Sequence, residues 1–97
     1  MSEEKRTFHR YYFPEWSMRS LGLHYLDTGQ IENAIGIFRI TAQEYPESWE
    51  AFSNLAEAYA MSGDRSNATL NYEKALEINP SSSELKQALT EALEDLN

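Results

Sequence analysis

The stretch Trp49-Glu50-Ala51-Phe52-Ser53-Asn54-Leu55-Ala56-Glu57-Ala58-Tyr59-Ala60-Met61-Ser62-Gly63-Asp64 decides how the chain folds. Phe52, Leu55, Ala56, Tyr59 and Ala60 recur at helical spacing and stop at Gly63, where a residue without a Cβ ends a helix in the left-handed conformation at little cost. Asp64 then offers a side-chain cap for a second helix, whose stripe is Ala68, Tyr72, Ala75 and Leu76. Pro80 closes it, because proline disfavours helix in Asn79 and cannot continue one itself.

Working outward, the same plan occurs once before. At an offset of 34 residues, 15–48 lies over 49–82 with identities at Leu21/Leu55, Tyr25/Tyr59, Gly29/Gly63, Asn33/Asn67, Ala34/Ala68, Pro46/Pro80 and Ser48/Ser82. Met18, Leu21, Gly22 and Tyr25 form the first stripe, Gly29 the stop, and Ala34, Phe38, Thr41 and Ala42 the second stripe up to Pro46. A period of this length means stacked supersecondary units. The small residues Gly22, Ala34, Ala56 and Ala68 let paired helices approach, and the aromatics fill what is left. After Pro80, Ser81-Ser82-Ser83-Glu84 is a capping signature for a fifth helix. Leu85, Leu89, Ala92, Leu93 and Leu96 lie on one side of it and Lys86, Gln87, Glu91, Glu94 and Asp95 on the other, as a terminal cap requires.

These residues resemble the tetratricopeptide repeat (TPR) family, whose pattern is W-x2-L-G-x2-Y, A-x3-F and P. It is matched by Met18-Leu21-Gly22-Tyr25-Ala34-Phe38-Pro46 and by Phe52-Leu55-Ala56-Tyr59-Ala68-Tyr72-Pro80. Met18 and Phe52 stand where the pattern has Trp, and Thr41 replaces a usual alanine. The resemblance implies an all-α fold: a TPR-type α-solenoid of antiparallel helix hairpins, with two full repeats (15–48 and 49–82), a C-terminal capping helix (83–97) and an aromatic-rich N-terminal segment (1–14). More narrowly, the stretch from Glu44 to Tyr59 resembles C-terminal TPR extensions of some bacterial serine hydrolases, esterase or β-lactamase-like, which implies an accessory or oligomerisation domain as the alternative role.

Composition narrows the function classes. Sixteen Asp and Glu against eight Lys and Arg give a net charge of −8, which disfavours nucleic acid and anionic membranes and favours a basic partner. The acids are also uneven: residues 1–48 carry 5 basic and 7 acidic side chains, and 49–97 carry 3 and 9. Without cysteine there are no thiolate metal sites, and His9 and His24 lack a second ligand at metal-binding spacing, so neither metal nor cofactor is expected. Ser83-Glu84-Leu85-Lys86 matches S-x-x-K, but its partner motifs are missing and the serines already explain a cap. Phosphate-loop and nucleophile-elbow patterns are missing as well, and an enzyme is not expected. The acidic start and the lack of a long apolar run predict a cytoplasmic chain, unless it is a fragment of a larger exported protein.

The expected function is therefore protein–protein interaction. The resemblance implies a groove along the inner face of each first helix. Carried onto this sequence, it takes Trp16, Arg19, Ser20, Leu23, Leu26 and Asp27, then Glu50, Ser53, Asn54, Glu57, Ala60 and Met61, then Glu84, Gln87, Glu91 and Glu94. Glu50/Glu84 and Glu57/Glu91 are one period apart and are expected to stack into an acidic stripe suited to a peptide with a basic end and an apolar anchor. A carboxylate clamp is disfavoured, since only Arg19 and Asn54 occupy suitable places. Phe8, Tyr11, Tyr12 and Phe13 crowd ahead of Pro14. Two readings stand for them: cover for the first repeat's bare face, or an interface with another domain or with a second copy in a homodimer through exposed repeat edges.

Overall fold

The computed structural model describes residues 13–96, with the side chains of 95 and 96 outside the description. Phe8, His9, Tyr11 and Tyr12, and the Asp95 and Leu96 side chains, thus lie outside the described residues. Five helices follow one another: α1 (Glu15–Asp27), α2 (Ile31–Glu44), α3 (Trp49–Met61), α4 (Arg65–Ile78) and α5 (Ser83–Leu96). The described residues contain no strand. Each helix packs chiefly on its neighbours in sequence, with a lighter contact between α1 and α3. This is the contact pattern of a helical-repeat stack.

The two turns inside the hairpins are built alike. Gly29 and Gly63 have φ of +80° and +89°. Beyond them the Gln30 amide donates to Tyr25 O at 2.8 Å and the Asp64 amide to Tyr59 O at 2.9 Å, one period apart. A left-handed residue here lets carbonyls of the last turn find donors, and glycine adopts it without strain. The helix starts differ more. The Asp64 carboxylate accepts the Asn67 amide at 3.2 Å, Ser48 Oγ accepts the Ala51 amide at 3.1 Å, and Ser82 Oγ accepts the Leu85 amide at 3.2 Å. At the start of α2, Gln30 makes no such side-chain bond. Pro14 caps α1 through its carbonyl alone, which accepts from Ser17 and Met18.

The core runs between the first hairpin and α3: Leu26, Ala34, Ile35, Phe38, Leu55 and Ala58, with Tyr25, Ile31 and Tyr59 packed against them. Gly22 is essential to it. A Cβ added there would sit 2.3 Å from Phe38 Cε1, so the fully buried Phe38 ring occupies the space that glycine leaves. Thr41, the substitute for alanine, is also fully buried, and its hydroxyl donates to Ile37 O at 2.7 Å.

Two stripe residues depart from expectation. Leu21 is 43% exposed although its counterpart Leu55 is 5% exposed. The pattern places both on the same side of their helices, but α2 lies in front of α3 and no described element lies in front of α1. Leu93 is likewise 43% exposed, while Leu85 and Ala92 on the same helix are buried. The apolar side of α5 is wider than its contact with α4, the neighbour it packs on.

Candidate functional site

The residues expected to line a groove lie on α1, α3 and α5, the first helices of the units. At the start of this face a polar cluster joins α1 to α3. Arg19 Nε donates to Asn54 Oδ1 at 3.3 Å, and Arg19 Nη1 lies 3.5 Å from Glu15 Oε2. Ser48 Oγ donates to the same Glu15 carboxylate and approaches Glu50 Oε1 at 3.4 Å. The Arg19 guanidinium thereby ties α1 to α3 through the Asn54 carbonyl oxygen while also facing Glu15. Glu50 faces the cap serine at the start of its own helix. Glu84 is exposed in the first turn of α5.

Farther along, one acid from each of two successive units bears on the same side chain. The Tyr72 phenol is raised above its ordinary value, first by burial and then by the charges of Glu57 and Glu91. Both carboxylates disfavour a phenolate, so both lie within electrostatic reach of one hydroxyl. Glu57 comes from α3, Glu91 from α5 and Tyr72 from α4 between them. Beside this point Ala60, Arg65, Tyr72, Ala88, Glu91 and Ala92 line a recess of about 100 Å³. Gln87 Nε2 donates to Glu91 at 3.4 Å. Glu57 and Glu91 are themselves exposed, as is Glu94.

The apolar members are spread along the face. Trp16 is 69% exposed, Met61 54% and Leu23 38%. Ser20 and Asp27 are exposed, Ser53 and Ala60 are half-buried, and Leu26 is buried in the core. Leu26 is thus a packing residue, not a surface one. Tyr72, by contrast, belongs in the sequence pattern only to the packing stripe of its helix. The signal available was its hydroxyl, since the first unit has Phe38 at that place. His24 is exposed, with its ring 6.1 Å from that of Tyr25. Among the described residues no group of three His, Asp or Glu is placed to hold a metal ion, and no helix is long and apolar enough to cross a membrane.

A second feature lies at the opposite edge. Phe13, Ser17, Met18, Leu21, Ile37 and Ile40 line an apolar groove of about 430 Å³ between α1 and α2. Phe13, 60% exposed, stands at its mouth, with its carbonyl accepting the Tyr45 hydroxyl at 3.0 Å. It is the one aromatic of the N-terminal group within the described residues.

Residues 49–82 match the tetratricopeptide repeat family. The chain is 39% identical over 70 residues to cellulose synthase operon protein C of Escherichia coli (strain K12), covering 72% of this chain and 6% of that protein. It is 31% identical over 68 residues to superkiller complex protein 3 of Homo sapiens, covering 70% of this chain and 4% of that protein. The chain therefore spans only a small fraction of these relatives, and neither name is that of a serine hydrolase.

Proposed function

From the tetratricopeptide repeat matched at residues 49–82 and the like-built hairpins around it, we propose that this chain is a protein–protein interaction module. It binds an extended peptide or protein segment along the face of α1, α3 and α5. The segment carries a Lys or Arg that seats between Glu57 and Glu91, and an apolar residue that packs toward Leu23 and Trp16. One observation carries this reading: two carboxylates one period apart, on the first helices of successive units, both act on the Tyr72 hydroxyl. A cation placed there relieves the like-charge pair and finds hydrogen-bond acceptors, while Tyr72 contributes a half-buried ring edge. The exposed Trp16, Leu23 and Met61 offer apolar area to the rest of the segment. One relative is named as a complex protein, in keeping with a chain that binds other proteins.

Selection from a random peptide library on the immobilised chain, followed by titration of a selected peptide, tests the proposal. The selected sequences are expected to be enriched in Lys or Arg and to bind with Kd on the order of micromolar, about −8 kcal/mol. Affinity should weaken as salt rises, because the exposed charges are screened. The Glu57→Lys/Glu91→Lys variant should lose about tenfold or more, equivalent to about 1.4 kcal/mol. Selection without basic enrichment, or an affinity indifferent to the double reversal, refutes it.

A further inference from the structure

We propose that the chain carries a second docking surface, on the side of α3 away from Glu57, which takes an acidic segment of a partner protein: an Asp or Glu seated between Arg39 and Lys74, with a neighbouring apolar residue over Phe52. Arg39 and Gln43 of α2, Phe52, Leu55 and Tyr59 of α3 and Asn71 of α4 line a shallow opening of about 280 Å³. At about 3.6 residues per turn, Phe52, Leu55 and Tyr59 lie on the opposite side of α3 from Glu50, Asn54 and Glu57, so the two surfaces are separate. A further recess of about 260 Å³ continues along α2 past Gly36 and Ile40 and shares Arg39 and Gln43 with the first.

Charge selects the occupant. Lys74 Nζ, from α4, lies 5.8 Å from the centre of the Phe52 ring, and Arg39 lines the same opening from α2. Both side chains are exposed. Among the described residues neither forms an ion pair, and no Asp or Glu lines either recess. In a chain of net charge −8, two cations beside one aromatic floor reverse the sign locally and complement a carboxylate. Phe52 and Tyr59 are half-buried, so they offer apolar contact area to a side chain without the enclosure that a small molecule needs.

Gly36 is an independent observation on the same surface. It lies inside α2, where glycine destabilises a helix relative to alanine, and a Cβ built on it would meet no atom of the described residues within 4 Å. Nor does the repeat ask for it, since the place one period later holds Leu70. Internal packing thus gives no reason for the glycine, whereas its bare surface beside Arg39 and Ile40 lets a partner's backbone approach α2 closely.

The test is selection from a random peptide library on the full chain carrying Glu57→Gln/Glu91→Gln, so that the acidic face contributes no carboxylate pair to the outcome. Selected sequences are expected to join Asp or Glu to Phe, Leu or another large apolar residue, and a selected peptide should shift the amide NMR signals of Arg39, Gln43 and Asn71 in the unaltered chain. Arg39→Glu/Lys74→Glu, at two exposed positions, should keep the helical circular dichroism and weaken that peptide about tenfold or more. Gly36→Ala should raise the thermal midpoint yet weaken the same peptide, a divergence that a purely structural glycine does not produce. Selection without acidic enrichment, shifts confined to α1 and α5, or an affinity indifferent to the charge reversal or to Gly36→Ala overturns the proposal. Signals of Arg39 and Gln43 that move with protein concentration alone assign the surface to a second copy and overturn it as well.

Discussion

In the first hairpin a glycine faces a phenylalanine, Gly22 against Phe38; one period later the same two places hold Ala56 and Tyr72. The first pair is closed, with the Phe38 ring fully buried and no room for a methyl group at Gly22. The second pair shifts the bulk: Ala56 is fully buried, and the aromatic becomes a tyrosine that is only half-buried, with its phenol among Glu57 and Glu91. The same backbone plan thus serves packing in one unit and leaves a polar handle at the surface in the next. Sequence identity at the period positions is no measure of what each unit does.

Breaking the closed pair should have the largest effect. Phe38→Ala removes a fully buried ring and should cost about 3–5 kcal/mol, read as a fall in the urea midpoint at unchanged slope. Gly22→Ala, which merely installs the residue native to the second unit, should cost about 1–3 kcal/mol through overpacking against Phe38. A neutral Gly22→Ala would mean that the Phe38 ring yields to a methyl group at position 22 without loss of packing.

The caps sharpen the comparison at smaller scale. Asp64→Ala removes the acceptor for the Asn67 amide and should cost about 1 kcal/mol. Gln30→Asp supplies the missing acceptor at the equivalent start of α2 and should gain up to about 1 kcal/mol. Opposite signs at equivalent positions, measured by thermal unfolding, are the expected result. Equal signs would show that the start of α2 does not tolerate the cap geometry of α4.

The smallest effect concerns Tyr72. Its phenol should titrate above about 10, followed by absorbance near the phenolate band. Since the unfolded chain ionises first, stability should be unaffected below that value and fall as pH rises from it through the raised folded value. Glu57→Gln/Glu91→Gln should lower the titration point only in part, because burial is the larger cause and stays. A complete return to the ordinary value would remove burial from the account.

Much of the fold was legible because the deciding residues act locally. Gly29 and Gly63 mark their turns by backbone freedom, Asp64 and Ser82 mark helix starts by hydroxyl or carboxylate chemistry, and Gly22 marks a close approach by lacking a Cβ. Leu21 and Leu93 were misplaced for one reason: a stripe states which side of a helix is apolar, not whether anything lies against it. The site was less legible. Arg19 and Asn54 are 35 positions apart, and neither residue type announces that it is committed to the other. Tyr72 owes its raised phenol first to burial and then to residues 15 and 19 positions away, which no local pattern contains.

The sequential order of helix contacts, α1 to α2 through α4 to α5, also governs how the chain acquires its structure. Most contacts join residues near in sequence or on neighbouring helices, so little chain entropy is lost before packing repays it, and folding is expected to be fast for a chain of this length. Unfolding should begin at α5, which packs mainly on α4 alone, and should spread inward one helix at a time. Amide exchange in α5 would then run ahead of exchange around Phe38, and mechanical load on the two termini would peel the molecule from its C-terminal end.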